Sequence, residues 1–393
     1  MSGTASSPVG VGIIGAGVIS DIYLANLTTR FPNVRVVAIA DMIVERAHAR
    51  AEKYGIAALS VDELLGRDDI ELVVNLTIPL AHYPVARQIV EAGKSVYNEK
   101  PLTESCEQGR ELLALAAERG VLVGGAPDTF LGGGLQTARQ LIDEGMIGLP
   151  IAATAVMYSH GHESWHPDPA FYYQPGAGPM LDMGPYYVTA LVSLLGPVAR
   201  VASIAGISFP ERTITSEPRA GEVITVNTPT HIAASMEFAS GSIGTITTSF
   251  DVYDTQHFGL MIYGTEGTLR LPDPNTFGGT IEILQPAAFK AKRDPLSVGR
   301  TPDDRTDPNT VDRPQWEPVP LTHGFTDNSR GLGVADLAHA IRTGSPPRAS
   351  GALAYHVLEV MHATLESSEQ GRHILIESTV TRPAALPADE TFS

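Results

Sequence analysis

Over the first 127 residues, short apolar runs alternate with amphipathic stretches. The runs Val9–Ile14, Val34–Ala40, Leu72–Leu76, Ser95–Asn98 and Val121–Gly124 predict the strands of a parallel sheet covered on both faces. Amphipathic helices are expected between them. Gly55, Gly93 and Gly120 stand where a residue in the left-handed conformation would close a helix. Strictly alternating strands and helices predict an α/β domain over residues 9–127.

A helix from Gly134 to Glu144, stopped by Gly145, follows. The pattern then changes. Val201–Ile207, Thr230–Phe238, Gly241–Asp251, Phe258–Tyr263 and Thr268–Leu271 are β-branched or alternating, and Ser240-Gly241 and Glu266-Gly267 make short turns between neighbours. A largely antiparallel sheet in a second domain, residues 128–380, is expected. Apolar residues fall on both alternations of Gly241–Phe250, so both faces are expected to be covered, with sheets packed face to face in an oligomer. Residues 286 to about 330, rich in Pro, Asp, Arg and Gly, read as a long loop with one strand at Trp316–Leu321. Two helices close the chain, Gly331–Thr343 and Gly351–Gln370. Ser350 is the expected N-cap of the second and Gly371 its C-cap, with a buried stripe of Leu353, Val357, Val360, Met361 and Leu365.

Length and charge narrow the function. A chain of 393 residues exceeds one ordinary core, which agrees with two domains. A net charge of −17 excludes a protein that tracks nucleic-acid phosphates. The single cysteine, Cys106, cannot form an internal disulfide, and no apolar stretch is long enough to span a bilayer. Met1 to Pro8 lacks the basic segment of a signal peptide, so a cytoplasmic enzyme or sensor is the expectation.

The candidate chemistry begins at Val11-Gly-Ile-Ile-Gly-Ala-Gly-Val-Ile-Ser20, a strand, a glycine turn and a helix start. Gly15 permits a tight turn. Gly17 removes a side chain where backbone must approach a pyrophosphate, and the helix start after Ala16, Val18 and Ile19 offers free N–H groups to that anion. Ser20 takes the third glycine position, where only a small residue is needed. Such a turn also suits a flavin or a methyl donor. Asp41, at the tip of the second strand, favours a dinucleotide: a carboxylate there accepts from the ribose 2′-hydroxyl and repels a 2′-phosphate. Met42-Ile43 supplies no arginine to offset that repulsion, so NAD is expected over NADP.

Three further segments lie at strand ends or in a glycine-rich run. Thr77-Ile78-Pro79-Leu80-Ala81-His82 follows the fourth strand, where Thr77, Pro79 and His82 would border the cofactor. His82 reads equally as a residue satisfied by local backbone. Asn98-Glu99-Lys100-Pro101 tips the fifth strand. Glu99 is suited to a ribose hydroxyl and Lys100 to a substrate oxygen, with a lysine pKa expected to fall through burial and a cationic nicotinamide. In Gly176-Ala-Gly-Pro-Met-Leu-Asp182-Met-Gly184-Pro-Tyr186-Tyr187, Asp182 and Tyr186 share one helix face, and Gly184 is expected to leave room for a ligand.

In these motifs the chain resembles the glucose–fructose oxidoreductase, inositol dehydrogenase and rhizopine-catabolism (GFO/IDH/MocA) family, from Val9 to about Glu377. The resemblance implies a Rossmann domain followed by an α/β domain with a large, mostly antiparallel open sheet. It implies NAD(P)-dependent oxidation or reduction of sugars, polyols or their derivatives, in homodimers or homotetramers built through the C-terminal sheet. Carried over, Lys100 is the catalytic lysine, Asp182 the substrate-side acid, and Tyr186 the acid/base of the branches with tyrosine where many members have histidine. Trp165 stands where relatives touch the cofactor, and His166 and Tyr172 are assigned to substrate. Asp128, after the sixth strand, is expected to border the nicotinamide. His160-Gly161-His162-Glu163 has no distant third ligand motif, so no metal is expected. No arginine fork marks a carboxylate substrate. An NAD-retaining glycosidase and a non-catalytic NAD or sugar sensor of the same fold are the alternatives.

Overall fold

The computed structural model describes residues 7–253, 259–286 and 315–392. The first domain is a six-stranded parallel sheet, β1 (Val9–Ile14), β2 (Val34–Ala40), β3 (Ala57–Ala58), β4 (Leu72–Asn75), β5 (Ser95–Asn98) and β6 (Val123–Gly125), in the order β3-β2-β1-β4-β5-β6. Every residue of β1 and β4 is buried, which explains their uninterrupted apolar runs. Strand order reverses between β1 and β4, and the crevice outside their carboxyl ends is where such sheets bind ligands. The helices are α1 (Ser20–Thr29), α2 (Val44–Tyr54), α3 (Val61–Leu65), α4 (Pro79–Glu91) and α5 (Cys106–Arg119). Gly55 and Gly120 are the left-handed C-caps of α2 and α5. The edge strand β3 is too short to leave a pattern in the sequence.

The second domain opens with α6 (Gly133–Asp143) and β7 (Pro150–Tyr158). The small-residue run of β7 hides a central strand, parallel to β12 and antiparallel to β13. The remaining elements are α7 (Pro179–Leu195), β8 (Val198–Gly206), β9 (Glu211–Thr213), β10 (Val223–Thr225), β11 (His231–Phe238), β12 (Ile243–Ser249), β13 (Gly259–Gly264), β14 (Thr268–Leu271), β15 (Ile281–Leu284), β16 (Glu317–Val319), α8 (Leu332–Thr343), α9 (Gly351–Gln370) and β17 (Ile374–Leu375). Among the described residues the large sheet has the order β16-β15-β14-β13-β7-β12-β11-β8-β17, and only the β7–β12 pairing is parallel. Of the expected loop, residues 287–314 lie outside the described residues, as does Phe258 of an expected strand.

Helices α7 and α9 pack on one face of the large sheet, burying Ile232, Ala234, Met236 and Ile246. The other face, with Ile204, Ala233, Ser235, Ile243 and Thr245, is open in the single chain, so any covering of it comes from outside this chain. The C-terminal segment also contacts the first domain. Helix α8 returns to the first sheet, against β1, β5 and β6, and Asn26 donates to the carbonyls of Asn328 (2.9 Å) and Arg330 (2.8 Å). Helix α9 has the expected caps, and its Leu353, Val357, Val360 and Met361 are buried. At about 1.5–3 kcal/mol for each fully buried side chain of this kind, that stripe fastens α9 between the domains. Among the described residues no helix is long and apolar enough to cross a membrane.

Candidate active site

The glycine turn leaves β1 with Gly15 at φ 106°, where a Cβ would lie 2.6 Å from the Leu76 carbonyl carbon. A Cβ on Gly17 would meet nothing within 4 Å, so Gly17 faces open space at the start of α1. A hollow of about 400 Å³ lies there, lined by Ala16, Gly17, Val18, Arg46, Ala49 and Arg50. Ser20 is buried, and its hydroxyl donates to the Gly17 carbonyl at 2.7 Å. Asp41 reaches back to the turn: Oδ2 accepts from the Ala16 N–H (2.6 Å) and Oδ1 from the Ile43 N–H (2.8 Å). These features fit a dinucleotide, with open space at the anion-binding helix end and a fixed carboxylate beside it.

A polar lattice joins the ends of β4 and β5. Asn75, fully buried, donates to Asn98 Oδ1 (2.9 Å) and to the His82 carbonyl (3.0 Å), while Asn98 donates to the Leu102 carbonyl (2.9 Å). The Thr77 hydroxyl donates to Asn75 Oδ1 at 2.7 Å, so its proton is already engaged rather than free for the cofactor. His82 is buried, its ring nitrogens 2.6 Å from the Pro101 carbonyl and 3.1 Å from that of Thr77. His82 therefore ties the two loops together instead of facing the crevice. Burial lowers its pKa. Glu99 accepts from the Tyr23 hydroxyl (3.0 Å) and from the Lys100 N–H (2.8 Å). Sequence reasoning missed Asn75, Asn98 and Tyr23, although two asparagines at adjacent strand ends are a signal.

This lattice aims Lys100 across the crevice at α7. Its Nζ donates to Asp182 Oδ1 (2.7 Å) and to the Asp182 carbonyl (2.8 Å). Burial alone would lower the lysine pKa, but Asp182 and Tyr186 outweigh it and the group is pushed up. The expected lowering is thus reversed in this structure: a carboxylate in direct contact holds the ammonium. Asp182, whose pKa burial alone would raise, is held well below the usual carboxylate range by Lys100 and His162. The His162 Nε2 is 3.7 Å from Asp182 Oδ2. Tyr186 lies one turn on, with Lys100 Nζ 5.6 Å from its ring centroid. Burial pushes the Tyr186 phenol up against the pull of Lys100 and Arg330, a residue that sequence reasoning missed. The Arg330 guanidinium is held by Asn328 Oδ1 (2.9 Å) and Asn275 Oδ1 (3.1 Å). Gly184 does not leave ligand space. A Cβ there would sit 2.9 Å from Met180 Sδ and 3.0 Å from Met361 Sδ, so the glycine lets α7 pack on α9.

The loop from Ser159 to Gly178 forms the far wall. Tyr172 stacks on His162 (centroids 3.7 Å, interplanar 11°), and burial pushes its pKa up to about 12. Phe171, half exposed, lies 4.0 Å from the Tyr172 ring. Trp165 is exposed and meets His162 and His166. His166 accepts from the Asp168 N–H at 3.0 Å, which turns it to its own loop. Underneath, Arg212 pairs with Glu163 (2.5 Å) and Asp251, Tyr173 donates to Glu163, and Thr230 donates to Asp251 (2.7 Å). His160 stacks on Tyr253 (3.6 Å). Among the described residues no group of three His, Cys, Asp or Glu side chains is gathered to hold a metal. Asp128 is turned to amides: it is buried and accepts from the Gly331 (2.9 Å) and Gly333 (3.0 Å) N–H groups at the start of α8. Burial pushes it up to about 6. Of the expected residues, Lys100, Asp182, Tyr186 and Tyr172 converge.

Comparison with known proteins gives a consistent picture. Residues 9–125 match the oxidoreductase family with an NAD-binding Rossmann fold, and residues 135–270 match the GFO/IDH/MocA C-terminal domain. The chain is 34% identical over 194 residues (48% of this chain, 56% of the relative) to a dTDP-3,4-didehydro-2,6-dideoxy-alpha-D-glucose 3-reductase of Streptomyces violaceoruber. It is 29% identical over 260 residues (63% and 72%) to the D-glucoside 3-dehydrogenase of Escherichia coli K12. The chain spans about half the length of several curated relatives it matches. The solved structure of levoglucosan dehydrogenase with NADH and L-sorbose superposes with a TM-score of 0.76 at 18% identity, covering 95% of this chain and 100% of that one, which shows a shared fold.

Proposed function

The chain belongs to the GFO/IDH/MocA oxidoreductase family, and on that premise we propose that it is an NAD-dependent dehydrogenase or reductase acting on a CH–OH group of a sugar, polyol or sugar derivative. The observation that carries this reading is the Lys100–Asp182 contact at 2.7 Å, which joins a β5 tip of the Rossmann domain to α7 of the second domain beside Tyr186. NAD supplies a hydride acceptor when bound. Gly15, Ala16, Gly17, Val18, Ile19 and Asp41 would hold its adenosine and pyrophosphate end, and Thr77, Pro79 and Glu99 would lie along its course.

The chain's own residues then divide the work. Lys100 has three N–H bonds and directs two at Asp182, which leaves one for the carbinol oxygen. As a held ammonium it stabilises developing alkoxide charge rather than acting as a base. Asp182 fixes that ammonium, and His162 backs the other carboxylate oxygen. Tyr186 takes the hydroxyl proton as the carbon–oxygen double bond forms and returns it in the reducing direction. Burial raises its pKa, and Lys100 and Arg330 pull the other way, toward the phenolate. Carbon loses hydrogen with two electrons and oxygen loses a proton, so the product is a ketone or aldehyde.

An absorbance screen for NADH with sugars, inositols and their keto forms tests the reading. Net NADH from at least one is the expected result. Cleavage of nitrophenyl glycosides without net NADH would replace it with the glycosidase alternative, and cofactor binding with no turnover on any panel member would favour a sensor. Self-association through the open sheet face belongs to the same proposal. Its exposed Ile204 and Ile243 and small neighbours Ala233 and Ser235 suit a second copy of this sheet. Mass photometry is expected to show a dimer or tetramer, and Ile204→Lys a shift toward monomer.

A further inference from the structure

A cleft of about 500 Å³ opens directly from the Lys100–Asp182 pair, and its walls do not suit a bare sugar. Hydroxyl-rich rings are held by many polar groups. Here the walls are mostly carbon: Ile78, Leu80, Phe171, Pro175, Leu181 and Leu358. Three of these are exposed, Ile78 at 65%, Leu80 at 68% and Phe171 at 50%. They come from separate segments, the start of α4 and the loop before α7, yet face one cavity. Clustered exposure of this kind marks a surface that becomes covered on binding. The polar groups that line it are Lys100, Asp182, Thr103, Glu104, Gln174 and His362, with the Tyr172 hydroxyl. The buried His362 Nε2 has no hydrogen-bond partner.

Resting on the dehydrogenase reading above, we propose that the substrate is a glycoside: a hydroxylated ring at Lys100 and Asp182 that carries an apolar or aromatic substituent lying between Leu80 and Phe171. Charge separates this from a nucleotide sugar. A diphosphate requires cations or a row of free N–H groups. Among the described residues lining the cleft, Lys100 is the only lysine or arginine, it is already paired, and Asp182 and Glu104 carry the opposite sign. The half-exposed Phe171 ring, with Tyr172 against it, offers a face for stacking.

The test pairs methyl and phenyl glycosides of each common hexopyranose, so that the ratio within a pair is independent of sugar configuration. Dissociation constants are measured by calorimetry on the NADH-loaded protein, and NADH formation is followed separately with NAD. The expected result is about tenfold or more tighter binding and lower KM for the phenyl member of at least one pair. In the double variant Leu80→Ser, Phe171→Ala that ratio is expected to fall toward one. Equal binding of the two members overturns the inference, and NADH formed in the same assay would leave the dehydrogenase reading standing. A phenyl preference in binding with no NADH from any pair supports the cleft assignment and overturns the dehydrogenase reading. Tighter binding of a thymidine diphosphate sugar than of any phenyl glycoside overturns the inference in favour of a nucleotide sugar. A ratio that survives the double variant also overturns it.

Discussion

Two ion pairs, one partly buried and one buried, meet the same loop, and they are built differently. Lys100 and Asp182 keep 19% and 18% of their side-chain surface exposed, and the ammonium retains an unused N–H. Arg212 keeps only 3%, and its terminal nitrogens are engaged by Glu163, Asp251 and two backbone carbonyls. The first pair holds a charge ready at a cavity wall. The second seals the Ser159–Gly178 loop onto β9 and the end of β12. What separates the two is where the spare N–H lies: that of Lys100 is at the cleft wall, whereas the Arg212 Nε–H is buried without a partner.

Substitutions can break this contrast. Lys100→Met is expected to lower turnover by about 10⁴-fold, combining loss of charge stabilisation and of substrate placement, while NADH binding followed by fluorescence changes little. Retained turnover would remove Lys100 from the site. Arg212→Met leaves Glu163 and Asp251 without their cation, and a stability loss of about 3–5 kcal/mol is expected in denaturant unfolding. A small loss there, matched by a large one for Lys100→Met, would invert the comparison. Tyr186→Phe is expected to reduce turnover by roughly 10²-fold or more with intact cofactor binding. Near-normal turnover would pass proton transfer to Lys100.

Asp128 sharpens the comparison as a buried acid that faces amides instead of a cation. Its pKa in the folded chain, about 6, stands above the ordinary 3.8. A carboxyl raised on folding contributes stability that is complete below the unfolded value and is lost as pH rises through the folded one. Wild type should therefore gain about 1–2 kcal/mol relative to Asp128→Asn as pH falls from 7 to 4, measured by unfolding at each pH. A pH-independent difference would show that Gly331 and Gly333 offset the burial fully.

Much of this was legible along the chain. The β1 and β4 runs, the glycine turn and the α9 stripe each follow from burial of a single element, which hydrophobic periodicity reports directly. The strand β7 was not legible, because Ala-Ala-Thr-Ala carries little contrast between its faces. Asp128 and His82 stand beside cofactor-binding segments yet point into packing. Nothing local distinguishes a side chain that faces a crevice from one that caps a neighbouring helix. Gly184 is the same lesson in reverse, since its missing side chain makes room for Met361 from a helix some 170 residues later.

By itself the sequence pointed to the two domain classes and the dinucleotide turn, and it marked Lys100, Asp182 and Tyr186 as candidates. The tertiary structure decided that Lys100 meets Asp182 through two hydrogen bonds, that its pKa rises instead of falling, that Arg330 stands by Tyr186, and that carbon walls extend the cleft. Periodicity records which face of one element is hidden from water. A pKa or a binding wall depends on the distance and desolvation between elements far apart in the chain, and only the folded path sets those.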